Sequence, residues 1–152
     1  MGLFKRFKAP KATVSVTLDK PEYGHSEPIT GTLDVSSSEE FDADELRIEL
    51  WVTEETTARG SVTIDTRAGR ETKIVTVRES ANIHKEKITV AGRTKITEGF
   101  NQKFPFSISI PSGVPPTYHG RNATNTWRMK GVIAVKGRPD VTSHDIEIQI
   151  NP

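Results

Sequence analysis

Lys103-Phe104-Pro105-Phe106-Ser107-Ile108-Ser109-Ile110 decides the fold, together with Thr126-Trp127-Arg128-Met129-Lys130-Gly131-Val132-Ile133-Ala134-Val135-Lys136 beyond it. In the first run every second residue is large and apolar and its neighbours are polar or proline, the period-2 pattern of a strand with one buried face. Pro111, Pro115 and Pro116 stop it, since proline fixes φ and removes a ladder donor. In the second run Trp127, Met129, Ile133 and Val135 share one face, with Arg128 and Lys130 on the other. Two such strands joined by a proline corner need partners, and the remaining chain supplies them.

Working outward, Val14, Val16 and Leu18 alternate inward along residues 13–18, turn chemistry follows at 19–24, and residues 29–35 alternate again. Residues 36–45 read as a polar loop crowded with Glu39, Glu40, Asp42, Asp44 and Glu45. Such a loop can offer oxygens to calcium, although it has no glycine-containing ligand pattern and acid runs are ordinarily solvated. Residues 46–52 bury Leu46, Ile48, Leu50 and Val52, which sets Trp51 on the polar face beside Arg47 and Glu49. An aromatic so placed is either a docking hot spot or a side chain covered by a neighbouring loop. Residues 53–71 show little periodicity beyond a short strand at 61–65. Residues 72–80 and 83–90 read as two strands whose lysines protect an edge. The alternation Ile146, Ile148, Ile150 ends the domain. No segment has a 3.6-residue apolar period, and no repeat or linker divides residues 12–152.

Charges nearly cancel, 21 basic against 20 acidic, so no global field draws the chain to nucleic acid. The absence of cysteine removes disulfides, thiolate catalysis and cysteine metal sites. No apolar run approaches the roughly 20 residues that span a bilayer, and no signal peptide is present. These features imply a cytoplasmic chain, in which the glycosylation triplet Asn122-Ala123-Thr124 is accidental. Residues 1–11 form a basic, aromatic leader. Phe4, Lys5, Arg6 and Phe7 are either a short anchor for anionic lipid or a partner groove, or aromatics tucked against the sandwich end. Gly2 suits myristoylation, but Arg6 stands where Ser or Thr is wanted.

An active site requires convergent titratable groups. His25, His84, His119 and His144 are far apart in sequence, with no pair at metal-ligand spacing. No serine sits in a nucleophile elbow and no glycine-rich loop leads into a helix. Arg121, Arg128, Lys130, Lys136 and Arg138 either line a surface for phosphorylated or acidic partners or face solvent. No enzyme, cofactor or metal site is expected.

Three stretches resemble the amino-terminal arrestin-type domain: residues 18–33, with Tyr23, a turn, Ile29 and then Gly31; Phe104 to Pro111 with Pro116-Thr117-Tyr118-His119-Gly120; and residues 127–135 with 146–150. The leader, residues 1–7, is similar to the start of bacterial sporulation-control proteins, which are arrestin-related. The resemblance implies an immunoglobulin-like, arrestin-type β-sandwich serving as a non-catalytic binding scaffold. Family members carry two such domains, so a chain ending at Pro152 is expected to lack the interdomain polar core and groove. The lysine pair that binds receptor phosphate in arrestins has no matching position here.

The expectation is therefore an all-β, two-layer antiparallel sandwich with Val14, Val16, Leu33, Val35, Ile48, Leu50, Phe104, Phe106, Ile108, Ile133, Ile146 and Ile148 in its core. Its role is that of a protein-binding scaffold or adaptor, self-associating or partner-dependent, with Val77, Ile88, Trp51, Arg128 and Lys130 as contact residues. The alternatives are a peripheral membrane adaptor using the leader and a carbohydrate- or ligand-binding sandwich.

Overall fold

The computed structural model of the chain describes residues 7–152. Among them lie strands β1 (Ala12–Leu18), β2 (Glu22–Gly24), β3 (Ile29–Ser37), β4 (Phe41–Thr66), β5 (Gly69–Ala91), β6 (Thr94–Ile96), β7 (Asn101–Ile108), β8 (Tyr118–His119), β9 (Ala123–Val135), β10 (Val141–Thr142) and β11 (Ile146–Asn151). The period-2 run of β7 pairs with β3, which pairs with β1, giving a three-stranded sheet. The tryptophan-bearing run of β9 lies at the middle of the larger sheet, ordered β2-β11-β9-β4-β5, with β6 beside β4 and β8 and β10 beside β9. Pairing is antiparallel except between β11 and β2. The two sheets stack with their apolar faces together, as a β-sandwich does.

Val14, Leu33, Val35, Ile48, Leu50, Phe106, Ile108, Ile133 and Ile148 are buried, and Val16, Phe104 and Ile146 pack against them half-buried. The alternation thus set the inward faces correctly. Gly131 lets the sheets approach closely: a Cβ there would sit 2.4 Å from Leu33 Cδ1. The corners are held by side chains that satisfy backbone groups. Tyr23 is buried and donates its hydroxyl to Thr30 O (2.7 Å) while accepting the Lys20 N–H (3.1 Å). In the proline corner, Trp127 Nε1 donates to Pro115 O (2.9 Å), and Asn125 Nδ2 donates to Pro115 O and Pro116 O (2.8 and 2.9 Å).

Three sequence readings need correction. The polar loop expected over residues 36–45 is shorter, because β3 runs to Ser37 and β4 begins at Phe41. Phe41 and Ala43 are buried; a bulge between Ala43 and Glu45 then shifts the phase, so that even-numbered Leu46 and Ile48 point inward. That phase change disguised the strand. The strands expected at 72–80 and 83–90 are one strand, β5, and the featureless stretch 53–71 contains the outer half of β4 and the turn to β5. The paired hairpin is β4 with β5, from Leu46 opposite Ala91 to Thr66 opposite Gly69.

Candidate functional site

Two surfaces stand out, both created by the β4–β5 pair. The first is the outer face of the larger sheet. Register sets Trp51 between Lys85 on β5 and Arg128 on β9, and Glu49 between Lys87 and Lys130. Trp51 is half-buried, with Lys130 Nζ 5.9 Å from its ring centroid in cation–π contact. Arg128 reaches Glu147 at 3.4 Å. The Lys130 side chain on the neighbouring strand lies over the indole. Three residues singled out in the sequence, Trp51, Arg128 and Lys130, are therefore brought together. Further along this face, Arg47 is nearly enclosed and holds Glu45 and Glu49 at 3.0 Å and Asp140 at 3.5 Å. Hydrogen bonds from Thr89 and Arg47 hold the Glu45 carboxyl below its ordinary range, against the opposing effect of burial. Burial acts to lower the Arg47 pKa, but the bonds to Glu49 and Glu45 prevail and raise it.

The second surface is a projecting ribbon. β9 accompanies β4 only to Thr56, opposite Ala123. Beyond it, residues 57–66 pair with 69–78 and with no other strand among the described residues. Successive side chains alternate between the two faces. One face carries Ala58, Gly60, Val62 and Ile64 beside Val77, Val75, Lys73 and Glu71. Val62, Ile64, Val75 and Val77 remain exposed there, Val77 at 50%. The opposite face is polar apart from Ile74. Sequence reasoning found Val77 but missed Val62 and Ile64, since an apolar face across two strands is legible only once their register is known.

Ile88 stands opposite Ile48 and packs half-buried against the core, so the expected contact role does not place it on this exposed face. Phe4, Lys5 and Arg6 lie outside the described residues. Phe7 is 77% exposed. Arg138, grouped with the basic surface residues in the sequence reading, is enclosed instead and pairs with Glu39 at 2.8 Å. Glu39 also accepts the Lys11 N–H at 2.9 Å. The acids of residues 39–45 are drawn apart, Glu40 to Lys95 and Glu45 to Arg47, and no group of three or more metal-type side chains gathers among the described residues. Among those residues no helix is long and apolar enough to cross a membrane.

The family model described as arrestin (or S-antigen), N-terminal domain, matches residues 14–149. Among solved structures, the sporulation control protein Spo0M from Bacillus subtilis is similar, with a TM-score of 0.62 and 21% identity. The likeness covers 93% of this chain and 50% of that one, so the chain spans about half the length of that relative. No curated protein matches the sequence significantly.

Proposed function

The chain belongs to the arrestin family, by its match to that family's amino-terminal domain, and we propose that it is a non-catalytic adaptor which docks a protein partner on the projecting β4–β5 ribbon. The observation that carries this reading is the apolar face of residues 58–64 and 73–77, which the second sheet does not cover. A ribbon of two strands is marginal in water, and solvated apolar faces of this kind are characteristic of interfaces. The protein acts by presenting a shaped surface, with the sandwich as a rigid mount. His25, His84, His119 and His144 contribute no acid–base constellation to this role.

The experiment is affinity capture from the native host with wild type, with Val62→Lys combined with Val77→Lys, and with Trp51→Ala. Loss of the retained proteins in the ribbon variant alone supports the ribbon as the docking element. Retention unchanged in the folded ribbon variant overturns it, and turnover of a substrate by the purified chain overturns the non-catalytic reading.

A further inference from the structure

We infer that the outer edge of β5 is a self-complementary pairing surface, and that its occupant is the β5 of a second copy, joined antiparallel about a two-fold axis at Thr76. This rests on the ribbon being an interaction element and adds what the ribbon binds.

Among the described residues β5 is the terminal strand of the larger sheet, and no strand of theirs pairs with its outer N–H and C=O groups. The edge has two parts. Near the sandwich it is guarded by Lys85 and Lys87, and by Glu86, which stands opposite Leu50 on the inward side. Lysines and inward charges are devices that discourage strand addition. At Ile83 the register slips, since Val52 opposes His84 but Thr53 opposes Asn82. From Asn82 to Gly69 at the turn, the pairing runs without another slip. Between the bulged Ile83 and Gly69 at the turn, Thr76 is the central residue.

A strand pairs antiparallel with its own copy only about a residue, because alternate residues turn their hydrogen-bonding groups outward. Pairing of this kind also keeps both apolar faces on the same side of the joined sheet. Centring on Thr76 sets Lys73 opposite Glu79 of the second copy, twice by symmetry, and Val75 opposite Val77, again twice. Neighbouring centres are worse. Val75 at the axis opposes Glu71 to Glu79, Ile74 opposes Arg70 to Arg78, and Val77 opposes Val75 to Glu79. Cross-strand opposite charges and β-branched pairs stabilise a sheet, whereas like charges destabilise it. The axis at Thr76 also brings each turn, at Gly69, level with the other copy's bulge at Ile83, so the sandwiches lie at opposite ends without overlap. Two marginal two-stranded ribbons then become one four-stranded sheet, β4-β5-β5-β4.

The test uses the full chain and exploits its lack of cysteine. Sedimentation equilibrium up to about a hundred micromolar should show a dimer. Lys73→Glu and Glu79→Lys should each raise the dimer dissociation constant by roughly tenfold or more, two favourable pairs having become repulsive. The double variant should restore wild-type association. Within one chain the two positions are six residues, about 20 Å, apart, so the rescue reports contact between copies. Thr76→Cys should form a disulfide-linked dimer on mild oxidation, because opposed residues lie about 4.5–5.5 Å apart between Cα atoms. Thr72→Cys should not. A monomeric wild type, failure of the double variant to rescue, equal cross-linking at both cysteines, or a monomer whose ribbon binds anionic vesicles would overturn the inference. A monomer that still loses its captured partners in the Val62→Lys, Val77→Lys variant would leave the adaptor reading standing and remove only self-pairing.

Discussion

Gly131→Ala adds a single methyl group at a close approach between the two sheets. The new Cβ would lie 2.4 Å from Leu33 Cδ1, 3.0 Å from Val14 Cγ2 and 3.3 Å from Val16 Cγ2. Carbon atoms rest at about 3.5–4.0 Å, so the Leu33 methyl must retreat by more than about 1 Å. Leu33 is completely buried, so that retreat must displace its neighbours. Overpacking of this kind costs about 1–3 kcal/mol. Replacing glycine within a strand returns roughly 0.5–1 kcal/mol of backbone entropy. A net loss of about 1–2 kcal/mol is therefore expected. With a urea m-value of about 2 kcal/mol/M, the unfolding midpoint should fall by roughly 0.5–1 M. Leu33→Ala alone should cost about 2–5 kcal/mol through its cavity. In the double variant the methyl group added at position 131 partly fills that cavity and meets no leucine, so the losses should be less than additive by about 1 kcal/mol or more. Gly60→Ala is the control: nothing lies within 4 Å of its Cβ, and it should be neutral or slightly stabilising. Urea titrations of the four variants, followed by tryptophan fluorescence, measure all of this. Simple additivity of Gly131→Ala and Leu33→Ala would refute the close-approach argument.

Phe106→Ala should cost about 3–5 kcal/mol by opening a cavity, whereas Lys103→Ala, exposed in the same strand, should stay within about 0.5 kcal/mol; equal midpoint shifts would mean a wrong strand phase. Glu39→Ala should destabilise by about 3 kcal/mol, because it leaves the enclosed Arg138 guanidinium without its carboxylate; a loss below about 0.5 kcal/mol would place that pair in water. The Glu45 carboxyl lies below its ordinary value of 4.5, so its stabilising contribution is complete above about pH 4.5 and disappears as pH falls through the lower folded value. The midpoint gap between wild type and Glu45→Gln should accordingly shrink from about pH 7 to about pH 3, and a constant gap would refute the assignment.

The residues of β1, β3, β7, β9 and β11 were readable because each has one face in the core and one in water, which prints a period of 2 on the sequence. The tyrosine turn and the proline corner were readable because their chemistry is local. Where either condition failed, so did the reading. At β4 a bulge reversed the phase after Ala43, and the acids around it suggested a loop. In residues 57–78 both faces are solvated, so no burial pattern distinguishes strand from loop, and one strand was read as two. Arg138 looked like any surface cation until Glu39, remote in sequence, enclosed it.

The all-β class, the inward residues of the sandwich strands and the family resemblance all follow from near-neighbour patterns along the chain. Tertiary structure alone decided that Trp51, Arg128 and Lys130 share a surface, that Ile88 faces the core, and that Val62 and Ile64 lie beside Val75 and Val77 on an uncovered ribbon. The physical reason is that a shared face depends on register between strands. Register is set by bulges, by the turn at residues 67–68 and by which strand stops first, and no short stretch of sequence contains it.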